Sequence, residues 1–201
     1  MIRRLIILLL IVGCGDLPLE DCAGVYLGEA ELDNCGVCEG DGTIASDGYV
    51  LLWGECYDIE TTTTLYLSSN ELTGQIPPEI GNLTNLTTLW LSSNELTGEI
   101  PSEIGSLTNL TYLNLYNNQL TGEILDSIGN LTNLTTLNLG NNQLTGEIPD
   151  SIGNLTSLTR LNLQLNQLTG EISQAVCGLI ESNNLEIINI LVGNNLINTC
   201  N

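Results

Sequence analysis

The chain is expected to fold as an α/β solenoid, mostly β, with a parallel concave sheet and short 3-10 or irregular convex segments. A Leu pair recurs every 24 residues, at Leu65/Leu67, Leu89/Leu91, Leu113/Leu115, Leu137/Leu139 and Leu161/Leu163. An Asn column follows it at Asn70, Asn94, Asn118, Asn142 and Asn166. A Gly column comes next, at Gly74, Gly98, Gly122, Gly146 and Gly170. A fixed period in this range signals stacked coils, because so short a unit cannot bury its apolar face alone and must lean on a neighbour presenting the same face.

One coil shows how the elements follow from the residues. In "LTNLTTLWLSSNELTGEIPSEIGS" the buried stripe is Leu83, Leu86, Leu89, Leu91, Leu96, Ile100 and Ile104. Burying such a side chain is worth about 1.5 to 3 kcal/mol before ordering entropy is subtracted, so several coils are needed for a favourable total. The Asn column sits where the chain must turn into the core. A carboxamide there can pair with turn backbone groups that would otherwise be unsatisfied, so these residues read as structural. The Gly column points to positive φ or close backbone approach. Pro77, Pro101 and Pro149 follow in three coils, while the third has Leu125 and the fifth Ser173, which predicts a slightly less rigid convex side there. Strands about 4.8 Å apart make a concave sheet about 25 Å long.

The segment "LxxLxLxxNxL" followed by "LTGEIPSEIG" resembles the plant-type 24-residue leucine-rich repeat of receptor-kinase ectodomains and polygalacturonase-inhibiting proteins, from Thr64 to about Asn195. The resemblance implies a right-handed coil and a recognition role without chemistry. A plant antifreeze protein shares the repeat type, so it also implies an ice-binding alternative, in which repeated Thr and Asn ladders order water.

Residues 1–13 read as an export signal: Arg3 and Arg4, an apolar run from Leu5 to Val12, then Gly13 and Cys14, too short to span a bilayer as a helix. The run "IVGC" resembles the bacterial lipobox, which implies that Cys14 becomes the lipidated first residue of a protein held to an envelope membrane surface. The alternative is an ordinary secretory signal with Cys14 in a disulfide. Seven cysteines are odd, and setting Cys14 aside leaves Cys22, Cys35, Cys38, Cys56, Cys177 and Cys200. In an oxidising compartment these pair, with two disulfides expected in an N-terminal cap and Cys177 with Cys200 in a C-terminal one.

Residues 14–60 form an acidic, Cys-rich segment and cap. Its "DNCGVCEGD" resembles short acidic cysteine modules of secreted marine bacterial proteins and of thrombospondin-motif metalloproteases, whose role is chiefly structural. Zinc on Cys22, Cys35, Cys38 and Cys56 lacks the second CxxC of a ribbon, and thiol redox chemistry at Cys35 and Cys38 lacks its βαβ context. Calcium suits Asp33, Glu39, Asp41 and Asp47 best among metals, although they do not match the EF-hand pattern. The repeats then run over 61–176. Residues 177–201 are a degenerate last repeat, "LEIINILVGNNL", and C-terminal cap.

The chain carries 24 acidic residues against three Arg, with no Lys or His, for a net charge of −21. Nucleic acid is excluded as a partner, because its phosphates need cations to displace their counterions. Enzymatic chemistry is poorly supported: there is no imidazole base, no Schiff-base amine and no phosphate-binding lysine. Paired carboxylates could serve a glycosidase, but Glu99, Glu123, Glu147 and Glu171 recur with the period, as a solvated convex face would. The "NLT" sequons at Asn82, Asn85, Asn109, Asn130, Asn133 and Asn154 come from the same repetition.

Alternation along the strands turns the residues between the Leu pair outward on the concave face. Tyr66, Trp90, Tyr112 and Tyr116 gather on the first three coils, with Asn114 between the last two, and Asn138, Arg160 and Asn162 follow on the later ones. Four of the chain's eight aromatics on one face suggest a binding patch, since Tyr and Trp join apolar area to a polar handle; the plain alternative is that aromatics form strands well. The leading reading is a lipid-anchored module holding an extracellular or envelope protein, peptide or glycan. A structural or adhesive envelope protein without a defined ligand is the second, and ice binding the third.

Overall fold

The structure, a computed structural model, describes residues 48–200. Chain order begins with a hairpin, β1 (Tyr49–Leu52) and β2 (Glu55–Asp58), paired antiparallel with Leu52 opposite Glu55. Its two-residue turn is Trp53 and Gly54, both at positive φ (49° and 86°), the geometry that matches strand twist in tight hairpins. Val50 and Leu52 are fully buried, and the hairpin packs against the first coil as a lid on its apolar end. Asp58 closes the hairpin into that coil: its carboxylate accepts the backbone N–H of Glu60 at 2.9 Å and of Thr61 at 2.8 Å. The hydrogen bonds from Thr61 hold this carboxyl below the usual carboxylate range. On the same strand, burial and then Glu55 push the Tyr57 phenol up.

The coils follow. Their concave strands are β3 (Thr64–Tyr66), β5 (Thr88–Trp90), β7 (Tyr112–Asn114), β9 (Thr136–Asn138) and β10 (Arg160–Asn162), which form one parallel sheet in chain order. Leu65, Leu89, Leu113, Leu137 and Leu161 lie directly opposite one another, so every rung pairs residue i with residue i+24. The core is the continuous Leu and Ile stack behind this sheet, almost wholly excluded from solvent. On the convex side four 3-10 helices, Pro78–Asn82, Ser102–Ser106, Asp126–Asn130 and Asp150–Asn154, each bury one Ile. Leu125, where three other coils have Pro77, Pro101 and Pro149, takes the same extended conformation (φ −75°, ψ 150°) as those prolines.

A second sheet adds to the expected convex segments. β4 (Thr73–Gly74), β6 (Glu95–Glu99) and β8 (Gln119–Thr121) pair in parallel, a single bridge joins Glu123 to Thr145, and β11 (Thr169–Glu171) pairs with β12 (Asn195–Ile197). Here the register differs: Thr97 faces Gln119 and Glu99 faces Thr121, an offset of 22 residues instead of 24. Each Gly of the periodic column lies on this sheet or directly after its paired residues, at φ between 74° and 86°, and a Cβ on Gly122 would stand 2.7 Å from Glu99 Cγ of the preceding coil. From Gly98 onward both reasons for glycine therefore act together, while at Gly74 only the positive φ does.

The Asn column closes the turns between the two sheets. The Asn142 Nδ2 donates to Leu115 O and Leu139 O at 3.0 Å each, and its Oδ1 accepts the Leu120 N–H at 3.1 Å. Asn94, Asn118 and Asn166 repeat the pattern across each coil boundary. Asn70 differs. It lies on the first coil, is exposed, and among the described residues its side chain donates only to Ser68 O, since no earlier coil there offers a carbonyl.

The last repeat departs from a strand. Ser173, in the place of a proline, caps α1 (Gln174–Ser182) by accepting the Val176 N–H, and α1 packs on the fourth 3-10 helix. Where a sixth concave strand would lie, α2 (Ile188–Leu191) forms a single helical turn. Its flanks still serve the sheet, since Leu163 N–H reaches Asn189 O and Leu165 N–H reaches Val192 O. The two extra residues ahead of Asn194 are taken up by that turn, and Asn194 then donates to Leu163 O and accepts from Leu168 N–H as the final member of the ladder. Cys177 and Cys200 are disulfide-bonded across this cap, and Cys56 is disulfide-bonded as well.

Candidate functional site

Tyr66, Trp90 and Tyr112 stand on three successive rungs of the concave sheet. Their ring centroids are 6.0 Å and 5.5 Å apart, with the planes tilted by 57° and 45°. Such tilted spacing is the favourable arrangement for aromatic pairs and contributes about 0.5 to 1.5 kcal/mol per pair beyond area burial. Tyr66 is 64% exposed and Trp90 37%, so the row presents ring surface to solvent. The Trp90 indole N–H donates to Ser92 Oγ at 2.7 Å, and that hydroxyl lies 2.9 Å from Ser68 Oγ. Trp90 is thereby held in one orientation before any ligand arrives. With Thr88, Thr111 and Thr135 the three rings line an open depression of about 270 Å³.

The remaining concave residues divide. Tyr116 is half-buried beside this row. Asn138 and Asn162 are partly exposed, but each carboxamide oxygen accepts a backbone N–H two residues on, from Gly140 and Gln164. Asn114 does the same for Tyr116 N–H at 3.0 Å and is only 6% exposed, the most buried of these concave residues. Arg160 is exposed on the fifth rung and is the one basic side chain among the described residues. Strand alternation puts Ser92 in the outward column with Ser68 and Tyr116, but nothing in the sequence signals that its hydroxyl holds the Trp90 indole.

A second surface lies on the flank where the coils enter the concave sheet. Thr84, Thr108, Thr132 and Thr156 are exposed at intervals of 24 residues. Asn85, Asn109 and Asn133 beside them each donate to a carbonyl of the preceding coil, two of these being Thr84 O and Thr108 O, all at 2.9 Å. The next column, Thr87, Thr111, Thr135 and Thr159, ties its hydroxyls to the Thr carbonyl one coil back. From residue 82 to 90 and in the equivalent stretches up to residue 159 no charged side chain interrupts the array. On the other side, Glu123, Asp126, Glu147 and Asp150 edge an open acidic groove of about 720 Å³.

Among the described residues no group of three or more His, Cys, Asp or Glu could hold a metal ion. Cys14, Cys22, Cys35 and Cys38, and the calcium candidates Asp33, Glu39, Asp41 and Asp47, lie outside the described residues. No helix among the described residues is long and apolar enough to cross a membrane.

Solved structures similar to the chain include the ectodomain of the plant membrane receptor kinase GASSHO1/SCHENGEN3 from Arabidopsis thaliana in complex with CASPARIAN STRIP INTEGRITY FACTOR 2. It is 39% identical over 68% of this chain, with a TM-score of 0.60, and the match spans 16% of that ectodomain. The ectodomain of the receptor kinase SOBIR1 from the same plant is 31% identical over 72% of this chain and 77% of its own, with a TM-score of 0.62. A plant ice-binding protein is 36% identical over 69% of this chain and 43% of its own, with a TM-score of 0.57. No curated protein matches the chain. The family described as leucine-rich repeat region matches residues 63–199, from the strand entry of the first coil to the end of the C-terminal cap, and the chain belongs to it.

Proposed function

We propose that this protein is an exported recognition module whose concave sheet holds a protein, peptide or glycan by side-chain contact, without catalysis. The row of Tyr66, Trp90 and Tyr112 carries this reading, because exposed and oriented aromatic rings are the side chains that concentrate binding energy. The GASSHO1/SCHENGEN3 ectodomain, solved with a bound factor, supports it from outside the chain. Replacing Trp90 and Tyr112 together by Ala is expected to abolish capture of a partner from native envelope extract while leaving the melting temperature within a few degrees. A structural or adhesive protein without a ligand would show the same retention before and after the change.

Anchoring belongs to the same reading. Cys14 is proposed to carry the lipid that keeps the module on a bacterial envelope membrane, with the acidic module between it and the coils acting as spacer and, through Asp33, Glu39, Asp41 and Asp47, as a calcium site. Labelled palmitate entering the protein but not its Cys14→Ser variant is the expected result. Equal labelling of both removes the anchor.

Ice binding is the second reading, favoured by the charge-free array of Thr84, Thr108, Thr132 and Thr156 on the flank and by the likeness to a plant ice-binding protein. The Thr-Gly-Glu columns of the second sheet suit it less. Their offset register sets Glu99 beside Thr121 and Glu123 beside Thr145, so carboxylates interrupt the hydroxyls. The purified chain would show thermal hysteresis that Thr108→Tyr and Thr132→Tyr abolish; absence of hysteresis in the parent excludes the reading.

A further inference from the structure

We propose that the ligand of the concave face is an uncharged polysaccharide chain lying across the strands, along the solenoid axis; this rests on the recognition reading above. The first argument is direction. Tyr66, Trp90 and Tyr112 follow one another on neighbouring strands, so the aromatic row runs across the rungs, with 6.0 Å and 5.5 Å between ring centres. A chain of sugar rings meets such a row repeatedly, one apolar ring face after another, and the tilt between successive planes follows a chain that twists between units.

The second argument is shape. The depression between the rings is open and only about 270 Å³, which does not enclose a small molecule but does accept a passing chain. Preorganisation is already present, since the bond to Ser92 fixes the Trp90 indole and little order remains to be lost on binding.

Charge is the third. Outward concave positions next to the rings are hydroxyls and carboxamides, Thr64, Ser68, Thr88, Thr136 and Asn138, suited to the hydroxyl rim of a sugar. No carboxylate stands among them to hold a cationic peptide, and the nearest charge on the face is Arg160, on the fifth rung. A net charge of −21 repels acidic glycans in turn. An uncharged chain is the partner that neither fact opposes.

Affinity electrophoresis of the full chain in native gels tests this, with hydroxyethyl cellulose, laminarin or galactomannan in the gel and polygalacturonate as the anionic control. Expected is retardation by at least one neutral polymer and none by polygalacturonate. Trp90→Ala should weaken it at least tenfold, Tyr66→Ala severalfold, and Trp90→Tyr should restore part; Glu123→Gln on the convex side should change nothing. Tyr66 is largely exposed, so its variant reports binding even if the Trp90 variant folds poorly. The assignment is overturned if no neutral polymer retards the chain, or if retardation survives Tyr66→Ala combined with Trp90→Ala. A peptide array probed with the same proteins separates the two levels. Peptides captured only when Trp90 is present, without retardation by any polysaccharide, would overturn the glycan and leave the recognition face standing; silence in both would overturn both.

Discussion

At Asn142 a single carboxamide satisfies three backbone groups belonging to adjacent coils. Replacing it by Ala leaves the buried Leu120 N–H without its acceptor, while Leu115 O and Leu139 O each keep one donor, from Asn118 and Asn166. One unsatisfied buried donor costs about 1 to 3 kcal/mol, so Asn142→Ala is expected to lower unfolding stability by about that amount. Asn70→Ala should stay within about 0.5 kcal/mol, as for an ordinary surface change, because Asn70 is exposed and makes one long bond to Ser68 O. Urea melts of the two variants check the contrast, and equal losses would contradict the ladder as described. The period made both residues look alike. Only the position of Asn70 on the first coil, with no coil before it among the described residues, separates them.

At the scale of elements, the two sheets differ in how far the residues foretold them. The concave strands were legible because Leu65 and Leu67 and their repeats alternate with outward residues, the signal of a strand with one buried face. The second sheet was not. "LTGE" offers one apolar residue and a glycine at positive φ, so no alternation marks it, and its strands exist because stacking brings the unpaired groups of one coil beside those of the next. The cap shows the same limit. Ser173 reads as a missing proline until its hydroxyl is seen capping α1, and the extra residues before Asn194 read as loop until they close as α2.

A disulfide fastens this cap, joining Cys177 at the start of α1 to Cys200 across a separation of 23 residues. A loop of that size constrains the unfolded chain by about 3 kcal/mol. Cys200→Ser should therefore release the cap first. Hydrogen exchange is expected to show protection lost in β12 and α1 while β5 and β7 stay protected; uniform loss along the array would mean that the coils do not open from the end.

For the whole molecule, the dominant fact is 24 acids against three arginines. Stacking brings the acids of each coil close to those of the next, as at Glu99, Glu123, Glu147 and Glu171. Such repulsion is screened over about 10 Å at 0.1 M salt and about 3 Å at 1 M. The melting temperature should accordingly rise by several degrees between 0.05 and 0.5 M NaCl, and added charge-reversing changes such as Glu123→Lys should flatten that rise. A melting temperature independent of salt would show the acids too well solvated to repel.

The period, the Leu stripe and the Asn and Gly columns sufficed to determine a stacked, parallel solenoid, because a repeated one-sided coil has no other way to hide its aliphatic face. The same alternation placed Tyr66, Trp90 and Tyr112 on one wall. Tertiary structure alone decided the second sheet with its offset register, the depth at which Asn114 sits, the bond that orients Trp90, and the helical form of the last coil. Each of these depends on which neighbour a group meets across a coil boundary, and that meeting is set by stacking instead of by any residue's own preference.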